Sequence, residues 1–163
     1  MRAGTLVIFC GKMASGKSTL ARQIAEQNSY SLMSEDALLG ALYPDQIADV
    51  PSYANFAGKL KLALSPILIN LLRNGTSVVW DFPANTVNQR KWIRDIIVQA
   101  GAGHEFHYLH SSDAVCKAQL AKRAIEEPDR HATDTEVMFD AMSSYFEPPS
   151  SVEGFKIILH DRV

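Results

Sequence analysis

The chain has 163 residues, 47% of them hydrophobic and 21% charged, with a net charge of −2 at neutral pH. That length suits a single domain spanning 1–163, large enough to bury a core without staples. The mildly acidic balance gives no overall basic character suited to long nucleic acid. Two cysteines set apart in a predicted strand and helix exclude a disulfide framework and fit a reducing cytosol, that is, a cytoplasmic protein.

The first element is the apolar run Leu6-Val7-Ile8-Phe9-Cys10, which predicts a buried parallel strand over 5–10. It is far too short for a signal-peptide core or a membrane span. Gly11-Lys12-Met13-Ala14-Ser15-Gly16-Lys17-Ser18 follows directly and reads GxxxxGKS, a complete phosphate-binding loop. Leu20, Ala21, Ile24 and Ala25 then recur at helical spacing. Strand, loop and helix in this order aim backbone N–H groups and a helix N-terminus at phosphates. Gly11 and Gly16 permit the tight turn, Lys17 is placed to reach the β- and γ-phosphates, and Ser18 to ligate Mg²⁺. The nucleotide-binding segment comprises Gly11 to Thr19, with Lys12 at a free position that is expected to be exposed.

A second strand is predicted at 30–34. Glu35-Asp36 follows it and opens a short helix, 36–43, stopped by Pro44. One of these carboxylates could orient an acceptor hydroxyl and take its proton, Asp36 first and Glu35 second; an acidic pair favoured by the helix dipole is the alternative. A longer helix is expected at 53–73, ending at Asn74-Gly75, with Pro66 kinking or breaking it. Its Tyr53, Phe56, Leu60, Leu62 and Leu64 read as core or as the wall of an acceptor pocket.

Ser77-Val78-Val79-Trp80-Asp81-Phe82 is the third strand. Asp81 at its carboxyl end can hold Mg²⁺ or contact substrate, or only cap the next turn. Asn85, and Arg90 on the following helix (86–100), are open between a site role and a structural one. A fourth strand at 105–110 carries histidines, and His104, His107 and His110 read as surface or strand-end residues. The helix 112–126 takes Ser112 as its N-cap. Arg123 and Arg130 flank an acidic stretch and read either as a clamp on a transferring phosphoryl group or as solvated helix-end charge. Thr133-Asp134-Thr135-Glu136 predicts a capping box opening a helix to about Phe146, and a fifth strand is expected at 155–160. Strands alternating with helices predict an α/β fold with a mainly parallel sheet.

Taken in order, the loop Gly11–Ser18, the segment Ser34–Leu39, the segment Asp81–Arg90 and the stretch Leu120–Arg123 with Phe146–Phe155 resemble the small P-loop kinases. These are the AAA-type ATP-binding proteins related to polynucleotide kinase, zeta toxin and chloramphenicol phosphotransferase. The resemblance implies a three-layer P-loop NTPase fold, five strands in the order 2-3-1-4-5 with helices on both faces. It implies ATP and Mg²⁺ at Lys17 and Ser18, with Asp81 as a further metal contact. Asp36 would be the general base, Glu35, Asp81, Asn85 and Arg90 would face the acceptor, and Arg123 with Arg130 would form a lid near 123–134. Many relatives carry an arginine three residues after the catalytic Asp, where this chain has Leu39, or Leu38 if Glu35 is the aligned acid. The implied activity is transfer of the γ-phosphoryl group of ATP to a hydroxyl of a small molecule. The alternatives are a nucleotide-dependent regulatory ATPase and a nucleic-acid 5′-hydroxyl kinase. The latter needs a basic groove, and Lys59, Lys61, Arg73, Lys91 and Arg94 are too scattered in sequence to claim one.

Overall fold

The computed structural model describes residues 2–130 and 133–162, apart from the side chain of Arg130. Five parallel strands lie in the order β2-β3-β1-β4-β5. They are β1 (Thr5–Cys10), β2 (Ser31–Ser34), β3 (Val78–Pro83), β4 (Gly103–Ser111) and β5 (Ile157–Arg162). The order and the parallel sense are those expected from the sequence.

Helices cover both faces because the central strands are apolar on both. Val7, Phe9 and Val79 point one way and meet Ala21 and Ala25 of α1 (Lys17–Asn28). Leu6, Ile8, Val78 and Trp80 point the other way into the larger core. There they join Leu60, Leu68 and Leu72 of α3 (Val50–Arg73) and Ile93, Ile96 and Ile97 of α4 (Val87–Ala100). A short α2 (Glu35–Leu42) follows β2 directly. At the carboxyl ends of the strands, α5 (Asp113–Glu126) and α6 (Glu136–Ser143) form a satellite core of Cys116, Leu120 and Phe139, packed on Met13 and Ala14 of the glycine-rich loop. The loop thus rests between the main sheet and this outlying pair of helices.

Three expectations change. Pro66 does not break α3, which runs unbroken from Val50 to Arg73. The carbonyl that Pro66 leaves without its helical N–H belongs to Leu62, which is 77% exposed, where water can satisfy it. The α6 cap is Thr135, whose hydroxyl accepts from the Met138 N–H, and not Thr133. His107 is buried rather than superficial. It alternates inward on β4, stacks on Phe9 and shares a hydrogen bond with His160 of β5 (2.9 Å). Among the described residues no group of three His, Cys, Asp or Glu side chains could hold a metal ion, and no helix is long and apolar enough to cross a membrane.

Candidate functional site

The glycine-rich turn is built by steric necessity. A Cβ at Gly11 would stand 2.6 Å from Ser15 Oγ and 2.8 Å from the Leu109 carbonyl oxygen. Gly16 has φ +98°, a left-handed conformation, and a Cβ there would meet the Arg162 guanidinium at 2.7 Å. Behind the turn, the Gly11 N–H donates to Asn85 Oδ1 (2.9 Å), which fastens the loop to the segment after β3.

The helix leaving the turn is distinctive. Side chains cap α2 (Ser34), α3 (Asp49), α4 (Thr86), α5 (Ser112) and α6 (Thr135). Only α1, whose N-cap is Gly16, has no side-chain cap among the described α-helices. Its first-turn N–H groups therefore point outward from the loop unclaimed by a neighbouring side chain, an arrangement suited to an anion. Lys17 extends back across the loop, its Nζ donating to the Gly11 and Lys12 carbonyls (2.6 and 2.8 Å). Burial holds its ammonium below the ordinary lysine value, and Asp81 and Asp36 oppose that shift.

Burial raises the Asp81 carboxyl above its usual range, although the Ser18 hydroxyl and the Lys17 charge act to lower it. One carboxylate and one hydroxyl make a hard, all-oxygen donor pair. That suits Mg²⁺, which typically keeps waters and takes substrate phosphates rather than a full protein cage. The cleft around these groups has a volume of about 860 Å³. Lys12, Gly16, Lys17, Ser18 and Thr19 line one part, Glu35, Asp36 and Tyr53 another, and Gln119, Lys122, Arg123 and Glu126 a third.

Glu35 and Asp36 differ sharply in setting. Asp36 is exposed, whereas Glu35 is 5% exposed and accepts a short hydrogen bond from the Tyr53 hydroxyl. Burial pushes the Glu35 carboxyl up to about 7, against the Tyr53 bond and the Lys61 charge, which lower it. A small annex of about 170 Å³ beyond this pair is lined by Ala57, Gly58 and Lys61.

Other expected site residues are committed elsewhere. Arg90 is fully buried and absent from the cleft wall. It donates to Glu153 Oε2 (2.6 Å), the Ala84 carbonyl (3.0 Å) and the Pro148 carbonyl (3.4 Å), tying α4 to the segment before β5. It therefore does not face the acceptor space, because Glu153 and Pro148 of the tail and Ala84 after β3 supply its acceptors. Asn85 lines the cleft, and its side-chain oxygen accepts from the loop. Arg123 lines the cleft, but its Nε and one terminal nitrogen grip Asp134 in a fork (2.6 and 2.9 Å). Lys12 is partly covered and pairs with Asp113 (2.7 Å), so it is not simply exposed. The Arg130 side chain lies outside what the structure describes, and so does any test of its lid role.

Several partners were invisible in sequence. Tyr53 lies 18 residues from Glu35, Asp134 11 from Arg123 and Glu153 63 from Arg90. Only the charge complement of Arg123 and Asp134 across a short acidic stretch could have suggested a pair. Burial pushes the Cys10 thiol, just before the loop, up to about 12, which leaves it chemically inert.

Solved structures share the fold at low identity. The chain is similar to Kti12 from Chaetomium thermophilum in complex with ADP-AlF3, with a TM-score of 0.68 and 16% identity over 96% of this chain and 88% of that one. It is also similar to the Mycobacterium tuberculosis APS kinase CysC in complex with AMPPNP and APS (TM-score 0.64, 17% identity, 99% and 90% covered). A third is a gluconokinase from Sinorhizobium meliloti 1021 (TM-score 0.60, 18% identity, 99% and 84% covered). No curated protein matches the sequence. The AAA domain profile matches residues 6–149, which takes in the loop, both acidic segments and the Arg123–Asp134 pair, and the chain belongs to that AAA domain family.

Proposed function

We propose that the chain is an ATP-dependent phosphotransferase that moves the γ-phosphoryl group of ATP to a hydroxyl of a small molecule. The observation that carries this reading is the α1 N-terminus. It is left without a side-chain cap beside a buried lysine, in one cleft with the carboxylates of Glu35, Asp36 and Asp81.

In this reading the amides of Lys12 to Thr19 and the Lys17 ammonium hold the β- and γ-phosphates. Ser18 and Asp81 would hold Mg²⁺, which when bound would neutralise the charge developing on the phosphates. The acceptor hydroxyl approaches from the side of Glu35, Asp36 and Tyr53. Its oxygen forms the new bond to the γ-phosphorus, the bond from that phosphorus to the β–γ bridging oxygen breaks, and ADP departs. The hydroxyl proton passes to a carboxylate. Burial and a pKa near the working range favour Glu35 over Asp36 as that acceptor of the proton. Asp36, more exposed, aligns the hydroxyl. Arg123, held by Asp134, presents the rest of its guanidinium at the lid, a segment near 123–134 that includes Arg130.

ATP turnover in the presence of hydroxyl compounds tests the proposal. Turnover should be acceptor-dependent, and Lys17→Ala should lower it by about 100-fold or more. A turnover rate indifferent to every acceptor and unchanged by Asp36→Asn and Glu35→Gln would favour a regulatory ATPase instead.

A further inference from the structure

We infer that the annex beyond Glu35 is a second contact of the acceptor and that Gly58 sets its size. The acceptor then carries, besides the hydroxyl that is phosphorylated, an oxygen-bearing arm of up to about six non-hydrogen atoms. This rests on the phosphotransferase reading and adds a specificity-determining residue to the same site.

Local structure does not ask for Gly58. It lies inside α3, a helix of 24 residues, and its backbone is not left-handed. Apart from proline, glycine is the poorest residue for a helix interior, because it has the most freedom to lose on folding. Gly11 and Gly16 are forced by close neighbours, but Gly58 is not. Among the described residues, and apart from its chain neighbours and the local backbone of α3, no heavy atom comes within 4 Å of where its Cβ would stand. Neither a turn nor tight packing accounts for the missing side chain. Gly58 is part of the annex wall, so a longer side chain there would project from that wall into open space.

The groups around that space suit a ligand. Ala54, Ala57, Gly58 and Lys61 recur at helical spacing and set one face of α3 against it. The annex shares Glu35, Tyr53 and Gln89 with the main cleft, so the two spaces join at the carboxylate that takes the proton. Its volume of about 170 Å³ is close to that of a cavity that holds a benzene-sized molecule. Gln89 spends Oε1 on the Asn85 and Thr86 N–H groups (2.8 and 3.1 Å), so its NH₂ is the part that can donate to a ligand. Lys61 brings an ammonium that already feels the Glu35 charge. Glu35 gives Oε1 to the Tyr53 hydroxyl and has Oε2 for another donor. Two donors and an acceptor around one small space fit a hydroxyl or carbonyl oxygen, and Ala54, Ala57 and Pro83 cover the carbon atoms that bear it.

Parent, Gly58→Ala and Gly58→Leu chains are incubated with γ-labelled ATP, Mg²⁺ and a dilution series of a small-metabolite cell extract. Mg·ATP binding is followed by calorimetry, and the labelled product is identified by mass. Gly58→Leu should need about ten-fold more extract for half-maximal labelling, the loss falling there rather than on the maximal rate, while Gly58→Ala stays close to the parent. If the leucine variant fails to bind Mg·ATP, Gly58→Met, similar in length but flexible, takes its place with the same expected outcome. Three results would overturn this inference and leave the phosphotransferase reading standing: an unchanged extract requirement, a loss confined to the maximal rate, or an acceptor with no oxygen besides the phosphorylated one. No labelled product from parent protein that binds Mg·ATP would overturn both.

Discussion

Glu35 and Tyr53 hold one hydrogen bond at the floor of the cleft, and that bond makes a pH signature. An acid whose folded pKa stands above its ordinary 4.5 binds more protons folded than unfolded between that value and about 7. Stability must therefore fall as pH rises through this window and level off above it. Urea midpoints measured between pH 5 and 8 should show the fall in the parent chain and a flatter profile in Glu35→Gln. Phosphoryl transfer has the opposite sense, since the proton acceptor must be ionised: kcat/KM should climb through pH of about 7. The Tyr53 bond lowers the Glu35 pKa, so Tyr53→Phe should move that limb upward by about one unit, the worth of one hydrogen bond to a carboxylate. A limb that stays in the ordinary carboxylate range in every variant would remove Glu35 from the proton path and return the role to Asp36.

Between elements, two arginines act as ties with different consequences. Arg90 uses three nitrogens on three acceptors that belong to Glu153, Ala84 and Pro148. Removing one member of a buried ion pair leaves an uncompensated charge, so Arg90→Ala should cost about 3–5 kcal/mol in chemical denaturation, and Arg90→Lys should recover little because an ammonium lacks the fork. Arg123 instead links the end of α5 to the residue before the α6 cap, with Asp134 almost fully buried. Arg123→Ala should cut kcat by about 10- to 100-fold with a smaller change in ATP affinity, the pattern of a group that acts on developing charge. Asp134→Asn keeps the arginine and weakens its anchorage; a kcat loss approaching that of Arg123→Ala would show that the geometry of the lid matters as much as its charge.

At the scale of the molecule, what could be read in advance was local and periodic. The run Leu6–Cys10, the glycine-rich turn and the apolar period of α1 lie within about twenty residues, and backbone sterics alone connect them. The strand order was legible through the likeness to known kinases, and capping residues such as Ser112 were legible because a cap acts within one turn. The acceptor side was not. Whether Glu35 or Asp36 turns inward depends on how α3 packs over α2, and Tyr53 meets Glu35 only after both helices are laid down. Arg90 looked like a site residue beside Asp81 because nothing near it in sequence signals Glu153 as its counterion. Thr133 and Thr135 offered competing caps, and Asp134 between them went to Arg123.

The chain contains two tryptophans, and their settings differ. Trp80 is fully enclosed and lies flat on Phe82, while Trp92, 5.8 Å away between ring centroids, is partly covered beneath the Lys61 ammonium. Lys61 also borders the annex behind Glu35. Any compound that settles there and disturbs that ammonium changes the electric field across the Trp92 indole, so its emission should shift in colour or intensity, whereas filling the nucleotide half alone should leave it nearly constant. The molecule thus carries a native optical probe at the very end of the cleft whose occupant is unidentified, and a titration in a fluorimeter can screen candidate compounds with neither label nor turnover.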